Sequence, residues 1–180
     1  MTDSESKVEG PARGSLASAD TAELNRLSVR LERLSAQSKA LRKAMLQFGE
    51  NFDETVWATA FSSPASDDIN RVYTVTGGYL ALVNNMAEAV RAGAKLTATK
   101  PTVSTQGIPG IVDAIRADGG FTSQQAETFV ALYRTRNQLQ HASPDIQADA
   151  VHRQVRLLLG HLPRFIKSYI LWLNKHNVEL

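Results

Sequence analysis

Residues 24–52 read LNRLSVRLERLSAQSKALRKAMLQFGENF, and their apolar side chains recur in alternating steps of three and four. A helix is the simple explanation, because those steps bring the residues onto one side of its axis. Most of the basic residues lie off this stripe, so the opposite side is positively charged. The stripe predicts either a dimeric coiled coil or a long amphipathic helix packed on its own domain. Its members are Leu24, Leu27, Leu31, Leu34, Ser38, Leu41, Met45, Phe48 and Phe52.

The start of this helix is predicted at Asp20, because Asp20 followed by Glu23 resembles a capping box. Residues 1–19 contain Ser, Gly, Pro and Glu without an apolar period, and they are predicted to be a disordered leader. The N-terminal helical region is therefore assigned to residues 20–61.

A second helical stripe follows the turn-like sequence SSPASDD at residues 62–68. Gly77 and Gly78 interrupt the stripe, and each glycine inside a helix costs about 1 kcal/mol relative to alanine. The pair therefore indicates a kink or a close approach of two helices. The stripe consists of Ile69, Val72, Tyr73, Thr76, Leu80, Val83, Ala87 and Val90.

Three more helices are predicted beyond a polar connection at residues 96–110. Pro109 suits the first turn of a short helix, which a double glycine ends. Thr122 and Gln125 form a capping box that opens the next helix. That helix should stop before Pro144, and Ser143 as N-cap with Pro144 in the first position should start the last one.

The last helix is predicted to kink at Pro163. Its large aromatic residues, together with Trp57, are expected in the core and not on a base-stacking surface; they are Phe165, Tyr169 and Trp172. No segment alternates between apolar and polar residues as a strand does, so the sequence predicts an all-α domain.

Composition narrows the class of protein. With 180 residues, 43% hydrophobic and 21% charged, the chain matches a globular domain and not a disordered or collagen-like chain. The absence of cysteine excludes a disulfide framework, a thiolate nucleophile and a cysteine-bound metal. No apolar run approaches the ~20 residues that span a bilayer. The first ten residues lack the apolar segment of a secretory signal, so the expected location is the cytoplasm.

Positive charge is concentrated at the two ends of the chain, and the last 60 residues hold all four histidines. Such a surplus is consistent with a bound polyanion and equally with an ordinary solvated surface.

Candidate chemistry lies in the sequence YRTRNQLQH at residues 133–141. With Arg136 at 0°, helical geometry places Gln140 at about 40°, Asn137 at about 100° and His141 at about 140°. The leucines at 132 and 139 then point the other way, into the core, so this polar arc is predicted to lie away from it. An arginine beside a histidine suits phosphodiester chemistry, because one stabilises phosphoryl oxygens and the other transfers protons.

This motif resembles the signature of the HEPN superfamily, in which an arginine, a polar residue that is often asparagine and a few further residues precede a histidine. Arg136, Asn137 and His141 fit that order. The resemblance covers roughly residues 67–176 and leaves the long N-terminal helix as an addition. It implies an antiparallel bundle of four or five helices, with Arg136 and His141 catalytic and Asn137 in support.

The resemblance further implies a metal-independent endoribonuclease that needs no cofactor and acts as a toxin or defence effector. Its partners would be an RNA substrate, a second copy of the chain that brings two motifs into one cleft, and an antitoxin protein. Arg134 and Gln140 are further candidates for RNA contacts. Toxins paired with nucleotidyltransferase antitoxins usually carry tyrosine two residues after the histidine, where this chain has Ser143.

Two other functions would also explain the motif and the N-terminal helix. In a non-catalytic, dimeric RNA- or protein-binding module, Arg136 and His141 would only bind phosphate or pair with carboxylates. In a coiled-coil adaptor, the N-terminal helix would be the functional part.

No metal site is expected, because no Asp, Glu or His cluster has ligand spacing. His152 and His161 are nine residues apart and are predicted to be solvated.

Overall fold

The computed structural model describes residues 13–97, 107–141 and 147–180, with side chains from residue 21 onward. Within these ranges the chain forms six α-helices, one short 3₁₀ turn and no strand. The elements are α1 (Arg13–Met45), the 3₁₀ turn (Leu46–Phe48), α2 (Glu54–Ser62), α3 (Ser66–Leu96), α4 (Ile108–Ala117), α5 (Ser123–Gln140) and α6 (Ala148–Lys175). The prediction of an all-α domain is confirmed.

The leucine stripe of α1 is buried against the chain's own core, chiefly against α3. Polar contacts between the two helices run in reverse order along them, so α1 and α3 are antiparallel; they join Glu23 to Lys95 and Gln37 to Asn85. Of the two interpretations of the stripe, packing within the domain is confirmed, and the stripe is not free to form a coiled coil. Its fully buried members are Leu27, Leu34, Leu41 and Phe48.

The bounds of the first helix differ from the prediction. α1 begins at Arg13 and not at Asp20, because the residues before Asp20 include good helix formers that continue the helix upstream. Residues 1–12 of the predicted leader lie outside the described residues. α1 also ends at Met45, so residues 20–61 are not one helix: Gly49 at φ 94° and Phe52 at φ 54° turn the chain. Asp53 then caps α2 by accepting a hydrogen bond from Val56 at 2.9 Å.

α3 is continuous through its two central glycines. A Cβ on Gly78 would lie 3.1 Å from Leu41 Cδ1, which confirms the close approach of two helices, whereas Gly77 has no neighbour within 4 Å. The predicted stripe on this helix is partly wrong, since Ile69 and Tyr73 are exposed. The buried residues begin at Val75, nearly two turns after Ile69, and include Tyr79, Leu82, Val83, Met86 and Val90.

A charged residue explains that shift. Arg71 occupies an inward-facing position in the first turns of α3, and its guanidinium lies 4.9 Å from the centre of the Phe48 ring. The spacing of apolar residues does not identify an inward-facing arginine, because its aliphatic stem packs on the core while its charged head remains polar.

α6 packs on α3 through a tyrosine that fills the space over a glycine. A Cβ on Gly93 would lie 1.9 Å from the Tyr169 hydroxyl oxygen, so only glycine fits there. The same hydroxyl donates a hydrogen bond of 2.6 Å to the carbonyl of Ala89. Tyr169 is fully buried, and this burial raises the pKa of its phenol far above the usual range.

α6 begins at Ala148 after an extended Gln147. The predicted helix start at Ser143 and Pro144 lies outside the described residues. The helix runs through Pro163, whose missing N–H leaves the carbonyl of Leu159 without its usual donor. Arg42 of α1 replaces that donor at 3.2 Å. The first and last helices are thereby joined at the one backbone position that the proline would leave unsatisfied.

Asp118, at the end of α4, ties that helix to the end of α6. Its carboxylate accepts a hydrogen bond from Trp172 Nε1 at 2.7 Å and another from His176, and Lys175 Nζ donates to its carbonyl at 2.9 Å. These contacts, that of Trp172 first, lower the pKa of Asp118 to about 2. The predicted burial of the four large aromatic residues is confirmed: Trp57, Phe165, Tyr169 and Trp172.

Across the described ranges, no helix combines the length and the apolar composition that crossing a bilayer requires.

Candidate functional site

The site helix, α5, is fixed at its beginning by the capping box that the sequence predicts. The Thr122 hydroxyl accepts from the Gln125 backbone N–H at 3.2 Å, and the Gln125 side chain accepts from the Thr122 N–H at 2.9 Å. Gln125 also reaches α6, donating to Ser168 Oγ at 2.9 Å and to the Arg164 carbonyl at 3.3 Å. The start of α5 is therefore fixed by its own capping box and by hydrogen bonds to α6.

A buried tyrosine holds the second half of α5. Tyr79 of α3 donates a hydrogen bond of 2.8 Å to the carbonyl of Leu132, and burial raises the pKa of its phenol well above the usual range. In a regular helix that carbonyl also accepts the backbone N–H of Arg136. α3 thus contacts α5 at the turn that leads into the predicted motif.

Arg136 is held by its own neighbours on the helix. Its Nη1 donates to Asn137 Oδ1 at 2.7 Å, and its guanidinium carbon lies 5.8 Å from the centre of the Tyr133 ring. Its Nε is buried and has no hydrogen-bond partner among the described residues. The guanidinium therefore keeps an unused donor in a partly desolvated place.

The predicted orientation of the arc is wrong for Arg136, whereas Leu132 is buried and Gln140 and His141 are exposed as predicted. Arg136 lies only about 20° around the helix from Phe129, seven residues earlier, and Phe129 is fully buried. Arg136 thus continues the inward side of α5 and is half-buried, while Leu139 is also only partly buried. The reason is that the buried side is set by residues in the first half of the helix, including Ala126 and Phe129, rather than by the two leucines alone.

His141 occupies the C-cap of α5 and is exposed. Its backbone N–H donates to the carbonyl of Asn137 at 3.2 Å, with φ −91° and ψ 15°. Arg136 lies about 140° away around the helix, and the structure gives no hydrogen bond between these two side chains. Within one chain, Arg136 and Asn137 are brought together, and His141 is presented separately at the helix end.

The further RNA-contact candidates, Arg134 and Gln140, are both exposed. Arg134 lines a cavity of about 470 Å³ between α4 and α5, with Arg116 and Asp113 on the facing helix. Asp113 pairs with Arg116 at 2.7 Å and leaves Arg134 without an ion pair among the described residues.

The two histidines predicted to be solvated are buried instead. His152 stacks on Phe52 and its Nε2 lies 2.6 Å from the Phe52 carbonyl. His161 is 8% exposed, and burial, reinforced by the charge of Arg164, lowers its pKa to about 4. Both histidines lie on the apolar side of α6, where the ring can pack as well as hydrogen-bond.

A basic cavity on α6 was missed in the sequence. It has a volume of about 610 Å³, and Arg153, Arg156 and Arg164 line it. Their spacing of three and eight residues puts all three within about 80° on one helix. That spacing is a signal that the sequence does contain, although it is as typical of a solvated face.

Comparison with known proteins does not assign this chain to a family. No protein-family model, no curated protein and no solved structure matches this chain. Over the described residues, no three His, Cys, Asp or Glu side chains cluster as metal ligands would.

Proposed function

We propose that this chain is a HEPN-like endoribonuclease in which Arg136 and His141 act on an RNA phosphodiester. One observation carries the proposal: Arg136, with an unused buried donor, is fixed to Asn137 at 2.7 Å on the same helix that presents the exposed His141 at its end. A fixed guanidinium is suited to bind phosphoryl oxygens, and an accessible imidazole is suited to transfer protons.

The reaction would proceed by attack from within the RNA. His141 removes the proton of a ribose 2′-hydroxyl, and the 2′-oxygen attacks the adjacent phosphorus. Arg136 stabilises the extra negative charge on the phosphoryl oxygens as the pentacoordinate state forms. The bond to the 5′-oxygen breaks, that oxygen takes a proton, and the products are a 2′,3′-cyclic phosphate and a 5′-hydroxyl end.

This chemistry needs one base and one acid, and a single chain offers one exposed motif histidine. A second copy of the chain would supply the other, in a homodimer that faces two α5 ends toward one cleft. The dimer contact would lie outside the leucine stripe of α1, because α3 already covers that stripe.

We place this activity in the cytoplasm, in a toxin or defence role with an antitoxin protein as the regulating partner. The support for this part is the motif resemblance of Arg136, Asn137 and His141.

A non-catalytic helical binding module is the second candidate, and the inward position of Arg136 favours it. An arginine that packs on Tyr133 and bonds its neighbour has a structural use that requires no substrate. In that case RNA or protein binding would persist without any cleavage.

End-group analysis separates the two candidates. The full chain is incubated with a mixed RNA pool in EDTA, and the products are examined for 2′,3′-cyclic phosphate. Cyclic ends support the endoribonuclease, and their absence from any RNA tested, with RNA retained in a binding assay, supports the module. Cleavage that requires added magnesium would contradict the proposed chemistry.

A further inference from the structure

A cavity of about 610 Å³ lies between α2, α5 and α6, beside the first turns of α5 and away from the motif at the end of that helix. Its α5 wall is formed near the start of that helix by Gln124 and Thr128, which are about 12 to 18 Å along the axis from Arg136. A volume of this size falls within the range of pockets that hold small molecules in proteins.

The charge in this cavity is unbalanced. Three arginines of α6 line it, and Glu54 is its one carboxylate among the described residues. Arg153 is already paired with Asp149 at 2.6 Å. Arg156 and Arg164 are exposed and form no ion pair within the described part of the chain. Two guanidinium groups are therefore available to an anion that enters the cavity.

His161 provides an independent indication of a ligand. Its side chain lines the cavity and is only 8% exposed, yet its Nε2 has no hydrogen-bond partner among the described residues. An unpaired polar atom in such a place costs free energy unless something binds to it. Arg164 lies three residues further along the same helix, about 60° around its axis from His161.

We propose that this cavity binds a nucleotide phosphate group, with Arg156 and Arg164 on the phosphate oxygens and His161 on a neutral polar group of the ligand. Arginine matches this role because its planar fork donates two parallel hydrogen bonds to a phosphate. The amide of Gln124 and the hydroxyl of Thr128 add neutral donors and acceptors on the facing wall. The site does not depend on the proposed cleavage at Arg136 and His141.

The test measures binding with three probes: adenosine 5′-monophosphate, unphosphorylated adenosine, and a single-stranded ten-residue 2′-O-methyl RNA that cannot be cleaved. The cavity variant is Arg156→Gln with Arg164→Gln. The control is Arg33→Gln with Lys39→Gln, which also removes two exposed positive charges, but on α1 and away from the cavity.

We expect the cavity variant to weaken binding of a phosphate-bearing probe by about tenfold or more, and the α1 control to weaken it less than about twofold. Histidine side-chain NMR should show the His161 signals shifting as that probe is added, with the His141 signals unchanged when the mononucleotide is used. If the cavity variant weakens binding of the mononucleotide alone, the phosphate that the cavity binds belongs to a free nucleotide. If it weakens binding of the oligomer alone, that phosphate belongs to an RNA strand.

Three results would overturn the inference. They are equal binding of adenosine and its monophosphate, equal weakening in the α1 control, and no binding of either phosphate-bearing probe. His141→Ala should leave binding in the cavity intact, so loss of cleavage and loss of this site are separate outcomes.

Discussion

The Tyr79 hydroxyl donates a 2.8 Å hydrogen bond to the carbonyl of Leu132, and this contact joins the middle of α3 to α5 one turn before Arg136. Tyr169 of α6 makes the same kind of bond to Ala89 of α3, at 2.6 Å. Two buried phenols thus fix α3 to both helices that carry the proposed sites. Because burial raises the pKa of each phenol, both stay neutral donors at ordinary pH.

Tyr79→Phe should lower the free energy of unfolding by about 1 kcal/mol, since it removes a buried hydrogen bond while the ring stays in place. Urea denaturation measures this change. Tyr73→Phe is the matched control, because Tyr73 is 70% exposed on the same helix and should change stability little. Equal effects of the two substitutions would show that the Tyr79 bond does not hold the helices together.

Two glycines of α3 should respond to alanine in opposite directions. Gly93→Ala brings a Cβ against the Tyr169 hydroxyl and Leu173, so it should destabilise the protein by about 2 kcal/mol or more. Gly77→Ala enters open space in a helix and should stabilise it by up to about 1 kcal/mol. Thermal unfolding of both variants tests the packing of α3 on α6, and a stable Gly93→Ala protein would contradict it.

Stability should depend on pH through His161. Its pKa is about 4 in the folded chain and near 6.5 when unfolded, so the unfolded chain binds more protons between those values. The contribution of neutral His161 is complete above about pH 6.5 and is lost as the pH falls toward 4. His161→Phe should remove on the order of 2 kcal/mol of this dependence. Urea midpoints at pH 4.5 and pH 7, compared with those of the wild type, give the measurement; parallel curves would contradict it.

Arg136→Ala should reduce both stability and cleavage. The sequence placed this side chain on a polar arc that faces away from the core, but it is half-buried against Tyr133. We expect a loss of about 1 kcal/mol from its packing and its bond to Asn137, together with a fall in cleavage of about 100-fold or more. Asn137→Ala should cost less in cleavage. Urea denaturation and initial rates on one RNA distinguish the two losses; unchanged rates in Arg136→Ala would remove this residue from the mechanism.

The sequence predicted the helices more reliably than their ends. The capping box of Thr122 and Gln125 is local chemistry, and it is present as predicted. Asp20 and Glu23 carry a similar local pattern, yet α1 runs through them, because a capping residue is tolerated inside a helix when its neighbours are good helix formers. The apolar period also continued across Gly49, since Phe52 stays buried after the chain has turned.

For the candidate site, the sequence predicted which residues share one helix but not where their side chains point. Placing Arg136, Asn137 and His141 on one helix requires nothing but local sequence, whereas the direction of Arg136 depends on how α5 packs against α3. The basic cavity depends on contacts among three helices, which spacing along α6 does not reveal. Burial of His152 and His161 has the same tertiary origin.

The central claim is that His141 transfers protons in RNA cleavage, and the rate of cleavage by His141→Ala tests it most directly. Because His141 is exposed at the end of α5, its replacement should leave the fold unchanged by circular dichroism. The matched control is Gln138→Ala, another exposed residue on the same helix. In EDTA, the account predicts wild-type formation of 2′,3′-cyclic phosphate by Gln138→Ala and a rate lower by about 10² to 10⁴ for His141→Ala. A folded His141→Ala protein that cleaves RNA at the wild-type rate would contradict it.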